Sequence, residues 1–156
     1  MAMSTRSAGL LPYRMRDGQH EVLIGHMGGP IWSRREERAW SIVKGEPQDE
    51  EDGLHAARRE FHEETGTPAP EGPLLELGEV RQAGGKRVTA WAVEADLDPA
   101  TLRSNTFELE WPPRSGRARE FPEVDRFEWC ALALARTRLV KAQTELLDRL
   151  ERLLGY

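Results

Sequence analysis

Cysteine occurs once in 156 residues, as Cys130, so no disulfide can close within the chain. Its apolar neighbourhood suits a buried, inert thiol rather than a nucleophile. Lysine is almost as scarce, with three against nineteen arginines, and acids outnumber bases to leave a formal charge of −5. A nucleic-acid partner is therefore not expected, because backbone binding draws on a basic face. Histidine appears four times, scattered. Neither His55 nor His62 has a second histidine at ligand spacing, which leaves no basis for a zinc site. No apolar run approaches the ~18 residues of a membrane span. Residues 1–12 hold no apolar core of about seven residues such as a secretion signal carries. Cytoplasmic residence, away from membranes, is the expectation.

Hydrophobic residues make up 38% and charged residues 31% of the chain, enough of each for a packed core beneath a polar exterior. Residues 1–156 are expected to form one domain. Residues 8–14 and 21–26 alternate as strands around Asp17-Gly18, a strong hairpin signal. A glycine-proline loop follows at Gly28-Gly29-Pro30, then a short strand at 40–43. A second hairpin is read at 74–82 and 86–93 around Gly84-Gly85, with further strands at 107–111 and 127–131. From Thr137 onward, Leu139, Val140, Leu146, Leu147, Leu150, Leu153 and Leu154 recur at helical spacing, which predicts one closing amphipathic helix. Residues 68–73 and 112–116 read as irregular loops, where recognition often sits.

The informative stretch lies between Gly45 and Thr67. It sets Gly45, then Glu51, then Arg59-Glu60-Phe61-His62-Glu63-Glu64-Thr65-Gly66. Asp49 to Asp52 suit the start of a helix and Gly66 its end. On that helix Leu54, Ala57, Arg58 and Phe61 share one face, while Glu60, Glu63 and Glu64 gather on another. Carboxylates this close repel and raise one another's pKa unless a hard cation or several donors offset them. Oxygen ligands of this kind select Mg²⁺, with Mn²⁺ the alternative.

The segment resembles the Nudix box: Gly, five residues, Glu, seven residues, Arg-Glu, an aliphatic or aromatic residue, any residue, Glu-Glu, any residue, Gly and an aliphatic residue. Thr67 replaces the final apolar residue and Val43 the proline that often precedes Lys44-Gly45; neither change touches a ligand. The resemblance implies an α/β/α sandwich, an α+β arrangement in which a mixed sheet carries the box helix on one side and a C-terminal helix on the other. It implies a pyrophosphohydrolase that cleaves a diphosphate linkage in a nucleotide or nucleoside diphosphate derivative, such as a nucleoside triphosphate or dinucleoside polyphosphate, with Mg²⁺. The stretch from Asn105 to Gly116 is also similar to a bacterial Nudix subgroup described as predicted nucleoside triphosphate pyrophosphohydrolases. A nucleotide-binding regulatory module and an RNA 5′-end pyrophosphohydrolase stand as alternatives.

Carried onto this chain, the resemblance makes Glu60, Glu63 and Glu64 metal ligands, joined by the Gly45 carbonyl, and makes Arg59 the residue that orients the acids through Glu51. The general base is Glu60 or Glu63 within the box, or Glu120 or Glu123 from a distant loop. For an anionic substrate, Lys44, Arg34, Lys86 and Arg114 supply local positive charge. Trp111 is the stacking candidate for a base, with Trp32, Trp40 and Trp91 considered beside it. A monomer or a homodimer is expected.

Overall fold

The computed structural model describes residues 6–156; the reading of residues 1–5 lies outside them. Strands β1 (Arg6–Arg16) and β2 (Gln19–Met27) form the expected hairpin. Asp17 and Gly18 both take positive φ, 51° and 78°, the conformation that tight hairpin turns require. Short strands β3 (Trp40–Ser41) and β4 (Val43–Gly45) return along β2 and β1. After α1 (Gly53–Thr65) come β5 (Leu74–Arg81) and β6 (Arg87–Glu94). A two-stranded ribbon, β7 (Thr106–Glu110) and β8 (Ala118–Pro122), stands apart from the main sheet. β9 (Val124–Ala131), α2 (Leu132–Arg138) and α3 (Thr144–Leu153) complete the chain.

The main sheet runs β3-β2-β1-β6-β5, with β4 added to β1 and β9 to β2. It is mixed, because β1 is parallel to β6 and antiparallel to β2 and β4. Side chains alternate across it. Ala8, Leu10, Leu23 and Val43 pack with Ala56, Ala57 and Phe61 of α1. On the opposite face Leu11, Val22, Ile24 and Val88 pack with Ala135, Leu146, Leu147 and Leu150 of α2 and α3. A central strand covered on both faces reads as a continuous apolar run, which explains why residues 7–12 are all buried. Phe61 is fully buried, and truncating it to alanine would cost about 3–5 kcal/mol.

The mixed α+β fold is as expected, and three details correct the sequence reading. The closing helix starts at Thr144 rather than Thr137, because Leu139 leaves the helical path to bridge Trp40 and the backbone crosses a short 3₁₀ turn before α3; the separate helix α2 before it was not expected. Between β3 and β4, the Ile42 amide donates to the buried Gln143 side chain at 2.9 Å instead of to a strand. Strand β8 went unread because its Ala-Arg-Glu-Phe-Pro pattern has little β character; it exists through its pairing with β7.

Candidate active site

The site is assembled by β4, which pairs antiparallel with β1, and α1, which packs on the face of the sheet over β1. Asp52 caps α1 by accepting the His55 amide proton at 3.3 Å, and Gly66 ends it at φ 73°. The helix therefore starts and stops where local chemistry dictates, and its acidic face is turned toward the end of β4. Gly45 is essential to that approach: a β-carbon there would lie 2.0 Å from both Cδ and Oε2 of Glu60. Only a residue without a side chain lets strand and carboxylate come so close.

Arg59 ties the acids together. Its Nε and Nη2 donate to the two oxygens of Glu51 at 2.8 and 2.9 Å, Nη2 also reaches the Glu46 carbonyl at 3.1 Å, and Nη1 donates to Glu60 at 3.0 Å and to both oxygens of Glu63 at 3.1 and 3.0 Å. Glu51 also accepts from the Gln48 amide and meets His55 at 2.8 Å. Its bonds to Arg59, above all, hold its carboxyl down to about 2. Burial, in contrast, raises Glu60 against the pull of Arg59. Burial first, then repulsion from Glu123, Glu60 and Glu63, pushes Glu64 up to about 7, with Lys44 opposing. Lys44 is lowered to about 8, chiefly by burial and then by Lys86. A carboxyl raised and an ammonium lowered in one place mark a site poised for charged ligands.

Glu60, Glu63 and Glu64 do share one face of α1, yet among the described residues no three acidic, histidine or cysteine side chains are gathered into a metal-ligating group. The expected convergence is not preformed, because Glu63 is exposed and spent on Arg59. The donor chemistry still fits a hard divalent cation. Glu60 and Glu64 are partly buried acids whose pKa values burial raises, Glu60 adding to the rise at Glu64, and the bare α-carbon of Gly45 leaves main chain against one of them.

A cavity of about 190 Å³ opens beside this cluster, lined by Met27, Ser41, Lys44, Glu64, Glu123 and Val124 among others. Glu123 thus comes to the site. Glu120 lies opposite Glu108 on the ribbon and does not line the cavity. Trp111 and Arg114 lie at the ribbon's turn, where the Arg114 amide donates to Glu110 at 3.1 Å. Arg34 is exposed in the turn after β2. Trp40 is fully buried, with the guanidinium groups of Arg126 and Arg138 over its ring at 5.0 and 4.6 Å, and so offers no stacking surface. A cavity of about 530 Å³ beside Arg14 and Trp129 holds none of the box carboxylates. Sequence reasoning gave Asn105 no role in the site, yet its side-chain amide lies against the Glu64 carboxylate and donates to it when turned nitrogen-first; no local pattern links residues that far apart in the chain.

The NUDIX domain profile matches residues 3–150. The chain belongs to the NUDIX family. Membership makes it a hydrolase acting on phosphorus-containing anhydrides. Solved structures share the NUDIX fold over nearly the whole chain. An Ap4A hydrolase binary complex from C. elegans is 22% identical at a TM-score of 0.66, covering 96% of this chain and 98% of that one. The NUDIX domain of NrtR from Shewanella oneidensis, complexed with ADP ribose, is 13% identical at a TM-score of 0.65, covering 99% and 91%. A MutT protein from Methanosarcina mazei Go1 is 18% identical at a TM-score of 0.60, covering 97% and 95%. No curated protein matches the sequence. Among the described residues no helix is long and apolar enough to cross a membrane.

Proposed function

We propose that this NUDIX protein is a divalent-metal-dependent pyrophosphohydrolase that cleaves a diphosphate linkage in a nucleotide of the nucleoside triphosphate or dinucleoside polyphosphate type. The observation that carries the reading is the fit of Glu60 onto Gly45, with Glu64 and Lys44 lining one cavity beside it. Glu60, Glu64 and the Gly45 carbonyl would hold Mg²⁺ or Mn²⁺, with Glu63 joining once Arg59 releases it. Such an ion, when bound, neutralises phosphate oxygens and acidifies water. Lys44 faces the phosphates as a desolvated cation, with Lys86 close enough to lower its pKa. Glu123, at the cavity wall, takes the proton from the attacking water, a role that needs reach before it needs basicity. Arg59 holds the acids in register and does not touch substrate.

The test is phosphate or nucleotide release from a panel of nucleoside triphosphates, dinucleoside polyphosphates and ADP-ribose with Mg²⁺, with Mn²⁺ and with excess chelator. Metal-dependent turnover of at least one compound is expected. Calorimetric binding of a nucleotide with no turnover under any metal would instead support a regulatory binding module, the reading favoured by the engagement of Glu63 with Arg59.

A further inference from the structure

Glu64 has few favourable neighbours. Glu123, Glu60 and Glu63 all repel its charge, and Lys44 opposes them. One uncharged donor also reaches it. With its amide turned so that nitrogen faces the carboxylate, Asn105 donates to Glu64 Oε1 and Oε2 at 3.1 and 3.2 Å. A neutral amide nitrogen shared between both oxygens restrains the rotation of the carboxyl group about its last bond.

Asn105 is exposed, but it is held from behind. Its carbonyl accepts the Glu123 amide proton at 2.9 Å, and the neighbouring Ser104 hydroxyl bonds both the amide and the carbonyl of Val124 at 3.0 Å. Glu123 in turn accepts the Gly28 amide at 2.9 Å through its carbonyl. These bonds stitch together the two ends of the β7–β8 ribbon, one bearing Asn105 and the other Glu123, just where both meet Glu64. The ribbon belongs to a separate sheet, so this stem is its junction with the carboxylate cluster. The ribbon also rests on the loop after β2, where a β-carbon at Gly29 would lie 2.9 Å from the Phe107 ring.

We propose that Asn105 is a positioning residue for hydrolysis, which orients the Glu64 carboxylate for its cation and registers it against Glu123 through the ribbon stem. The inference rests on the pyrophosphohydrolase reading above. A carboxylate that ligates a metal gains affinity when its orientation is fixed in advance, and loss of such a supporting donor typically costs about 10- to 100-fold in metal affinity or activity.

The experiment compares wild type, Asn105→Ala, Asn105→Asp and Glu64→Gln. Mn²⁺ affinity is read from the free-ion electron paramagnetic resonance signal, kcat and KM are measured on the nucleotide that the wild type turns over, and folding is checked by circular dichroism. Asn105→Ala is expected to weaken Mn²⁺ binding roughly 10-fold and to lower kcat by a similar factor, with KM within about two-fold. Asn105→Asp, which keeps the shape and loses the donor, is expected to lower kcat at least as far, and it decides the matter if the alanine variant does not fold. Wild-type kcat in the folded aspartate variant, or wild-type Mn²⁺ affinity and kcat in the folded alanine variant, would overturn the proposal while an impaired Glu64→Gln leaves the underlying function standing. Loss of that function would show separately, as a Glu64→Gln variant as active as wild type.

Discussion

Glu60 sits against Gly45 so closely that a β-carbon at position 45 would come within 2.0 Å of its carboxylate carbon. Position 45 is not among the residues with positive φ, so alanine is tolerated by the backbone and its whole cost falls on the contact. Gly45→Ala should therefore push Glu60 out of place and lower kcat by roughly 10- to 100-fold, the scale expected when the positioning of a metal-ligating carboxylate is lost. Steady-state kinetics beside a thermal melt separate this from unfolding. A folded variant with wild-type kcat would remove the strand–helix contact from the chemistry.

Glu60→Gln and Glu64→Gln keep shape and lose charge. Each should lower metal-dependent hydrolysis by at least about 10²-fold with the fold retained. Hydrolysis at wild-type rates in both, measured at saturating Mg²⁺, would refute their assignment as ligands.

The two loop acids should behave differently. Glu123 lines the cavity that holds Glu64 and Lys44, whereas Glu120 is paired across the ribbon with Glu108. Glu123→Gln is expected to lower kcat by about 10²-fold, the low end for removal of a general base, and Glu120→Gln to leave it nearly unchanged. Equal losses in the two variants would contradict the placement of the base.

The box helix was legible because its signals are local: Asp52 caps it, Gly66 ends it, and the spacing of Ala57 and Phe61 sets its buried face. The β1–β2 hairpin was legible for the same reason, through Asp17 and Gly18. What escaped depends on distant partners. Leu139 carries a helical leucine spacing but is claimed by Trp40, and Asn105 acquires meaning only when the fold brings Glu64 to it. Periodicity likewise placed Glu63 with its fellow acids, yet it could not show that Arg59 would engage it first.

Stability at low pH should report on Glu51. The bond to Arg59 places its folded pKa near 2, below the ordinary 4.5. A carboxylate depressed in this way stabilises the fold fully above its unfolded pKa, and that contribution fades as pH falls toward 2. The melting temperature of metal-free wild type should therefore exceed that of Glu51→Gln at neutral pH, with the gap closing between about pH 4.5 and 2. A gap that stays constant across that range would show that the Glu51–Arg59 pair does not contribute as a charge pair.

Gln143 is the buried polar residue on which the far side of the sheet depends. It is fully inaccessible, accepts the Ile42 amide proton at 2.9 Å, and donates to Ser41 at 3.1 Å and to Gln82 at 2.9 Å. Three segments thus meet at one amide, and the Ile42 N–H has no strand partner there to replace it. Leucine at 143 would fill similar space and leave that N–H unsatisfied, at a cost of about 1–3 kcal/mol. Urea unfolding should show a lower midpoint at unchanged slope, the signature of lost stability without a change in the surface exposed. Because Ser41 and Ile42 lead directly to Lys44 and Gly45, Gln143→Leu should also raise KM for the nucleotide. An unchanged midpoint would mean that the Ile42 amide finds another partner and that this side chain does not hold β3 and β4 in place.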